Sequence, residues 1–178
     1  MNLPFFTVGH STRSIEEFAG LLRAGDVDMV VDIRTVPRSR TNPQYNLDAL
    51  PQALAAYQIG HTRIEELGGL RGKSRDVAPE VNGWWENQSF HNYADYALSQ
   101  EFRQGLAELL ALGRERRVAM MCSEAVWWRC HRRIVADYLL LRGESVFHLM
   151  GPDRVEPAMR TPAAEPTPDG ALTYPAAG

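Results

Sequence analysis

Residues 118–140 read VAMMCSEAVWWRCHRRIVADYLL, and this stretch decides the fold class. Val118 to Met121 is a continuous apolar run, as expected of a strand buried on both faces of a parallel sheet. Cys122, Ser123 and Glu124 then turn polar. Helical spacing resumes with Ile134, Val135, Tyr138 and Leu139 and closes at Gly143. A buried strand that passes through a polar loop into an amphipathic helix is the repeating element of an α/β sheet.

The same alternation extends outward. Upstream, Phe5 to Val8 reads as a first strand that runs into the polar turn Gly9-His10-Ser11-Thr12. Ser14 and Glu17 have the spacing of a capping box, with Ile15, Phe18, Leu21 and Leu22 following at helical intervals. Met29-Val30-Val31-Asp32-Ile33 is a second buried strand and His61 to Ile64 a third. Between them, Asp48 is placed to cap a helix with its apolar stripe on Leu50, Leu54 and Tyr57. From Arg71 to Phe90 no period survives, which predicts a long functional or mobile loop. Helical spacing returns from Tyr93 to Leu110, and Val146 to Leu149 is a fifth strand. Beyond Gly151 proline and alanine dominate, so the predicted architecture is one α/β domain over residues 1–151 and a flexible tail over 152–178. The expected domain is a three-layer, Rossmann-like or flavodoxin-like fold: a mostly parallel sheet of about five strands with helices on both faces.

Bulk properties narrow the function classes. With 178 residues, 44% hydrophobic and 23% charged, the chain is long enough for one well-buried core and has the composition of a globular protein. A net charge of −3 argues against coating nucleic acid through bulk positive charge. Two cysteines are too few for a disulfide scaffold, and the opening residues have no signal-peptide pattern. No apolar run reaches the length of a membrane span. A cytoplasmic location with both thiols free is the expectation.

In parallel sheets ligands bind beyond the carboxyl ends of the strands. That rule gathers His10 and Ser11 after strand one, Asp32 and Arg34 after strand two, Glu65 and Glu66 after strand three, and Cys122 and Glu124 after strand four. Cys130, His131 and Arg132 open the next helix, where the helix dipole favours anions and thiolates. Cys122 is therefore a candidate nucleophile, with Glu124, His131 or His10 as proton partner. Arg34, Arg38 and Arg132 can fork onto a phosphate or carboxylate, with Arg40 in the same basic loop. Zinc or iron on Cys122, Cys130 and His131 is a further possibility, although Cys-x7-Cys-His is not a recognised zinc spacing. Trp84, Trp85, Trp127 and Trp128 fall in loops and can cover the core, form a lid or stack on a ring. His91 and His148 read as structural.

Thr7-Val8-Gly9-His10-Ser11, Val31-Asp32-Ile33-Arg34, Leu67-Gly68-Gly69 and the pair Cys122-Ser123-Glu124 with Cys130-His131-Arg132 resemble the family known as domain of unknown function 488. The resemblance spans about Phe6 to Met150 and implies a bacterial or archaeal cytoplasmic α/β protein; it implies no activity. A more distant similarity is to rhodanese-like domains. In those an aspartate–arginine strand end, here Asp32-Ile33-Arg34, accompanies a strand that ends in the nucleophilic cysteine, here Cys122. The loop from Ser123 to Arg129 is longer than the rhodanese one. Four readings follow: a thiol-dependent hydrolase or transferase acting on a small anionic or nucleotide-like substrate, a non-catalytic binding module for nucleotides or nucleic acid, sulfur transfer as the rhodanese similarity implies, and a metal-stabilised structural domain.

Overall fold

The computed structural model describes residues 2–177. Five strands run parallel: β1 (Phe5–Gly9), β2 (Met29–Asp32), β3 (Gly60–Arg63), β4 (Val118–Cys122) and β5 (Val146–Gly151). A sixth, β6 (Arg154–Pro157), pairs antiparallel with β5, and the sheet order is β3-β2-β4-β1-β5-β6. The three-layer α/β class is as the sequence predicts. The order is neither the 3-2-1-4-5-6 of dinucleotide-binding folds nor the 2-1-3-4-5 of flavodoxin-like ones.

Side-chain alternation sorts the strands into two cores. Phe5, Val31, Val118 and Met120 face one side, where α4 (Gln100–Glu115) and α5 (Arg132–Leu141) cover them with Phe102, Leu106, Leu109, Ile134, Val135 and Leu139. Phe6, Val8, Val30, Ala119 and Met121 face the other, against Phe18, Leu21 and Leu22 of α1 (Ile15–Ala24) and Leu50 and Leu54 of α2 (Leu50–Ala55). Ser14 and Glu17 form the capping box at the start of α1, each side chain satisfying a backbone N–H that the first helical turn leaves free. The second helix starts differently from expectation: Ala49, not Asp48, is its N-cap, and no side chain caps it.

The predicted loop from Arg71 to Phe90 contains a short 3-10 turn at Pro79–Asn82 and ends in α3 (Gln88–Tyr96), capped by Asn87. Trp85 is buried in the core, so this segment is anchored at its centre.

The tail corrects the sequence reading. Residues after Gly151 supply β6 and the small antiparallel pair β7 (Glu165–Pro166) and β8 (Leu172–Thr173). Leu172 and Tyr174 are fully buried in the α4–α5 core. Tyr174 Oη donates to Asp137 Oδ2 at 2.8 Å, and Asp137 Oδ1 accepts from Thr161 N at 2.8 Å. Pro and Ala content mimics disorder here. A few buried anchors nonetheless hold the segment, and the prolines stiffen it without needing a strand period.

The topology also creates the crevice. The connections leaving β1 and β2 cross on the α1–α2 face, and the one leaving β4 crosses on the α5 face. Because β4 lies between β1 and β2, its carboxyl end is flanked on both sides by chains departing the other way. That is the switch point at which open α/β sheets hold ligands. Among the described residues no helix is long and apolar enough to cross a membrane.

Candidate functional site

A cleft of about 620 Å³ opens at this switch point, within the usual range for a small-molecule site. His10, Arg34, Arg38, Cys122, Glu124, Cys130 and His131, all expected at the strand ends, line it. Arg129 and a far wall of Asn87, Ser89 and Phe90 join them. Glu65 turns away to pair with Arg63 at 2.7 Å. Arg40 is exposed outside the cleft lining, and Ser11 contributes its backbone rather than its hydroxyl, its N–H donating to Ser123 O at 3.0 Å.

Arg34 is held rather than free. Its Nε and Nη2 donate to the two Asp32 oxygens at 2.9 and 2.6 Å, Nη2 also to Tyr45 O at 2.7 Å. Burial pushes the Asp32 carboxyl up, but the hydrogen bonds from Arg34, with the His61 imidazole 3.9 Å away, outweigh it and keep the carboxyl below its usual value. Asp32 thus sits behind the cleft wall as the partner of Arg34, not as a substrate contact. The remaining nitrogen of Arg34, Nη1, reaches His10 Nε2 at 3.3 Å.

His10 has little freedom to shuttle protons. Its Nδ1–H donates to Ser11 O at 2.9 Å, which leaves Nε2 as the acceptor facing Arg34. The ring stacks on Tyr45 with centroids 4.1 Å apart. Burial lowers its pKa, so the ring is neutral, with the tautomer assigned by these partners.

His131 has the complementary arrangement. Nε2–H donates to Ile33 O at 2.9 Å, so Nδ1 carries the lone pair, and it lies 3.6 Å from Cys130 Sγ. Burial lowers this imidazole to about 4. Gly69 makes the placement possible: a Cβ there would overlap the imidazole. Nothing in the sequence Leu67-Gly68-Gly69 itself signals this contact, because His131 lies 62 positions away.

Two expectations fail at the thiols and at Arg132. The sequence predicts free thiols; the structure joins Cys122 and Cys130 in a disulfide. The loop from Ser123 to Arg129 folds back far enough to bring the start of α5 against the end of β4. Arg132, expected to hold a substrate anion, is fully buried beneath that loop. Its Nη1 donates to Cys122 Sγ at 2.7 Å and to Glu124 O at 2.6 Å, Nη2 to Ala125 O at 3.2 Å and Nε to Thr7 Oγ1 at 3.1 Å. Among the described residues no carboxylate lies within ion-pairing distance of it. Burial lowers its pKa to about 9.

Arg132 also shapes the cleft edge. The carbonyls of Ser123, Glu124 and Ala125 turn inward, onto Ser11 N and the guanidinium. The peptide bonds of this loop are trans, so the N–H groups of Glu124, Ala125 and Val126 point the opposite way, off the interior. Gly9 is required beneath this loop, because a Cβ would overlap the Glu124 carbonyl.

The tryptophans cover rather than line the cleft. Arg133 lies against the rings of Trp84, Trp85 and Trp127, at 5.8, 5.1 and 5.5 Å from their centroids. This clamps the loop after β4 to the tail, where Arg133 Nε donates to Thr161 Oγ1 at 3.1 Å. Among the described residues no group of three or more His, Cys, Asp or Glu is arranged to hold a metal ion.

These features carry the family's two cysteine elements, and the family comparison agrees. The model of the family described as domain of unknown function DUF488 matches residues 14–139. The chain is a member of the DUF488 family. The matched residues include β2, β4, the loop after it and most of α5. No curated protein and no solved structure matches the chain.

Proposed function

We propose that this DUF488 protein is a thiol-dependent enzyme, of the hydrolase or transferase type, with Cys122 as its nucleophile and a small anionic substrate in the cleft. One observation carries the reading. Arg132 is a fully buried cation with no carboxylate partner among the described residues, and its Nη1 lies 2.7 Å from Cys122 Sγ. An unpaired buried charge is costly, and the usual remedy is an opposite charge with good hydrogen bonds. When the disulfide is reduced, the Cys122 thiolate is that opposite charge. A guanidinium beside a thiol lowers its pKa below the free value of about 8.5.

Other groups fit this assignment. The Nδ1 lone pair of His131 is available to the Cys130 thiol and not to Cys122. Cys130 is therefore the second thiol of the site, able to stay protonated or to close onto Cys122. Arg38 and Arg129 at the cleft, with the outward N–H groups of the loop after β4, supply positive potential for an anion. Glu124 stands exposed on the cleft lining, free to move a proton to a leaving group.

The test is alkylation of reduced protein at Cys122 by iodoacetate and by iodoacetamide across pH. An activated thiolate in a cationic cleft reacts well below about pH 8.5 and favours the anionic reagent, and Arg38→Ala with Arg129→Ala removes that preference. Inertness of Cys122 until the protein unfolds would sink the reading. A preference for the anion without thiolate reactivity would favour the binding module instead.

A further inference from the structure

Thr7 is the polar interruption in the apolar strand Phe5-Phe6-Thr7-Val8, fully buried on the face that meets α5. Its hydroxyl stands between two partners. Oγ1 accepts from Arg132 Nε at 3.1 Å and lies 2.6 Å from His148 Nδ1. His148, at register with Thr7 on the neighbouring strand β5, is 2% exposed and stacked on Trp127 with centroids 4.8 Å apart. None of these contacts belongs to the cleft itself.

We propose that Thr7 and His148 are positioning residues that hold the Arg132 guanidinium against Cys122; this rests on the assignment of Cys122 as nucleophile. A hydroxyl has one proton and two lone pairs. Arg132 Nε–H takes one lone pair; a His148 Nδ1–H on the other would leave the buried Thr7 proton without an acceptor, so the arrangement that satisfies every group has Thr7 donating to a His148 Nδ1 lone pair. The chain from His148 through Thr7 to Arg132 therefore runs in one direction only while His148 is neutral. Burial and the Arg132 charge lower His148 to about 4, which keeps it neutral at ordinary pH. Protonated, His148 would place a second cation beside Arg132 and turn its own N–H onto Thr7. The guanidinium is planar, so fixing Nε at Thr7 and Nη2 at Ala125 O fixes the direction of Nη1. That direction is the one that reaches Cys122.

The test reads the Cys122 thiol pKa, by thiolate absorbance and by the pH profile of alkylation, in a Cys130→Ser background where Cys122 is the lone thiol. The other charged or titratable groups around it are His10 and Arg13 after β1, Asp32 and Arg34 after β2, Glu124 after β4 and His131 before α5, and none is altered. Thr7→Val, equal in shape but without the hydroxyl, is expected to raise the pKa by about one unit or more, and Thr7→Ser to restore it. His148→Leu, which removes the acceptor, is expected to raise it too; His148→Asn, which keeps an acceptor, leaves it near the parent value. His148→Leu also decides the matter should Thr7→Val fail to fold. A low parent pKa that persists in folded Thr7→Val and His148→Leu overturns the positioning role alone. A parent pKa near about 8.5 overturns the nucleophile assignment on which it rests.

Discussion

Lowering the pH should unfold this protein through its histidines. His131 and His148 are both held near 4, against an ordinary value of 6.5, chiefly by burial. The folded state therefore binds these two protons only below about pH 4, and the unfolded chain binds them from about pH 6.5 downward. Stability is fully present above that window and is lost as the pH falls through it. With two protons separating the states, the slope is about 2.7 kcal/mol per pH unit, and up to about 7 kcal/mol disappears across the window. That is comparable to the total stability of a typical domain. His10, also lowered by burial, adds in the same direction. Asp32, held low by His61 and Arg34 against its own burial, loses its contribution only as the pH falls through its folded value. Asp137 opposes them: burial raises its pKa, so it regains a proton in the folded state first. Urea midpoints followed by tryptophan fluorescence from about pH 7 to about pH 4.5 measure the slope. His148→Asn should remove about one proton from it. A midpoint that does not move over this range would refute the assignment of neutral, buried imidazoles.

Two substitutions test the supports of the site. Tyr174→Phe deletes the hydrogen bond to Asp137 Oδ2 and should cost about 1 to 3 kcal/mol in a denaturant titration, whereas a disordered tail would give no change. Gly9→Ala forces a methyl group into the Glu124 carbonyl; the loop after β4 must shift, at about 1 to 3 kcal/mol, and Cys122 alkylation of the reduced protein should change with it. Unchanged stability and reactivity in Gly9→Ala would show that the loop is not packed on β1.

The sheet and the position of the candidate cleft were legible because both depend on local pattern. Continuous apolar runs such as Met29–Val31 and Val118–Met121 can be satisfied only by two covered faces, and polar residues at their carboxyl ends then fall on one edge. The division of labour among those residues was not legible. Arg34 and Arg132 look alike in sequence, each beside a strand end or helix start. Only the fold shows that one faces Asp32 and the cleft while the other lies beneath the loop after β4. The tail was misread because composition alone suggested disorder, whereas Leu172 and Tyr174 are enough to anchor it. One signal was available and passed over: Thr7, polar within a doubly buried strand, requires a partner, and that requirement points to His148 and Arg132.

The electrostatics of the cleft reduce to one imbalance. His10, His131 and His148 are neutral, each with its tautomer set by a neighbour. Arg34 is neutralised by Asp32 across two short hydrogen bonds. Asp32 in turn is fixed by the backbone of Arg34, so this pair is a rigid wall with little net charge. Among the described residues Arg132 is fully buried with no carboxylate in ion-pairing distance, and Cys122 Sγ is the atom beside it able to become an anion. A disulfide to Cys130 leaves that cation uncompensated, whereas reduction supplies its counter-ion. On the proposed assignment the same charge should favour the dithiol form and make Cys122, of the two, the thiol that ionises. Arg34 substitutions should accordingly damage the fold of the cleft wall, and Arg132 substitutions the reactivity of Cys122.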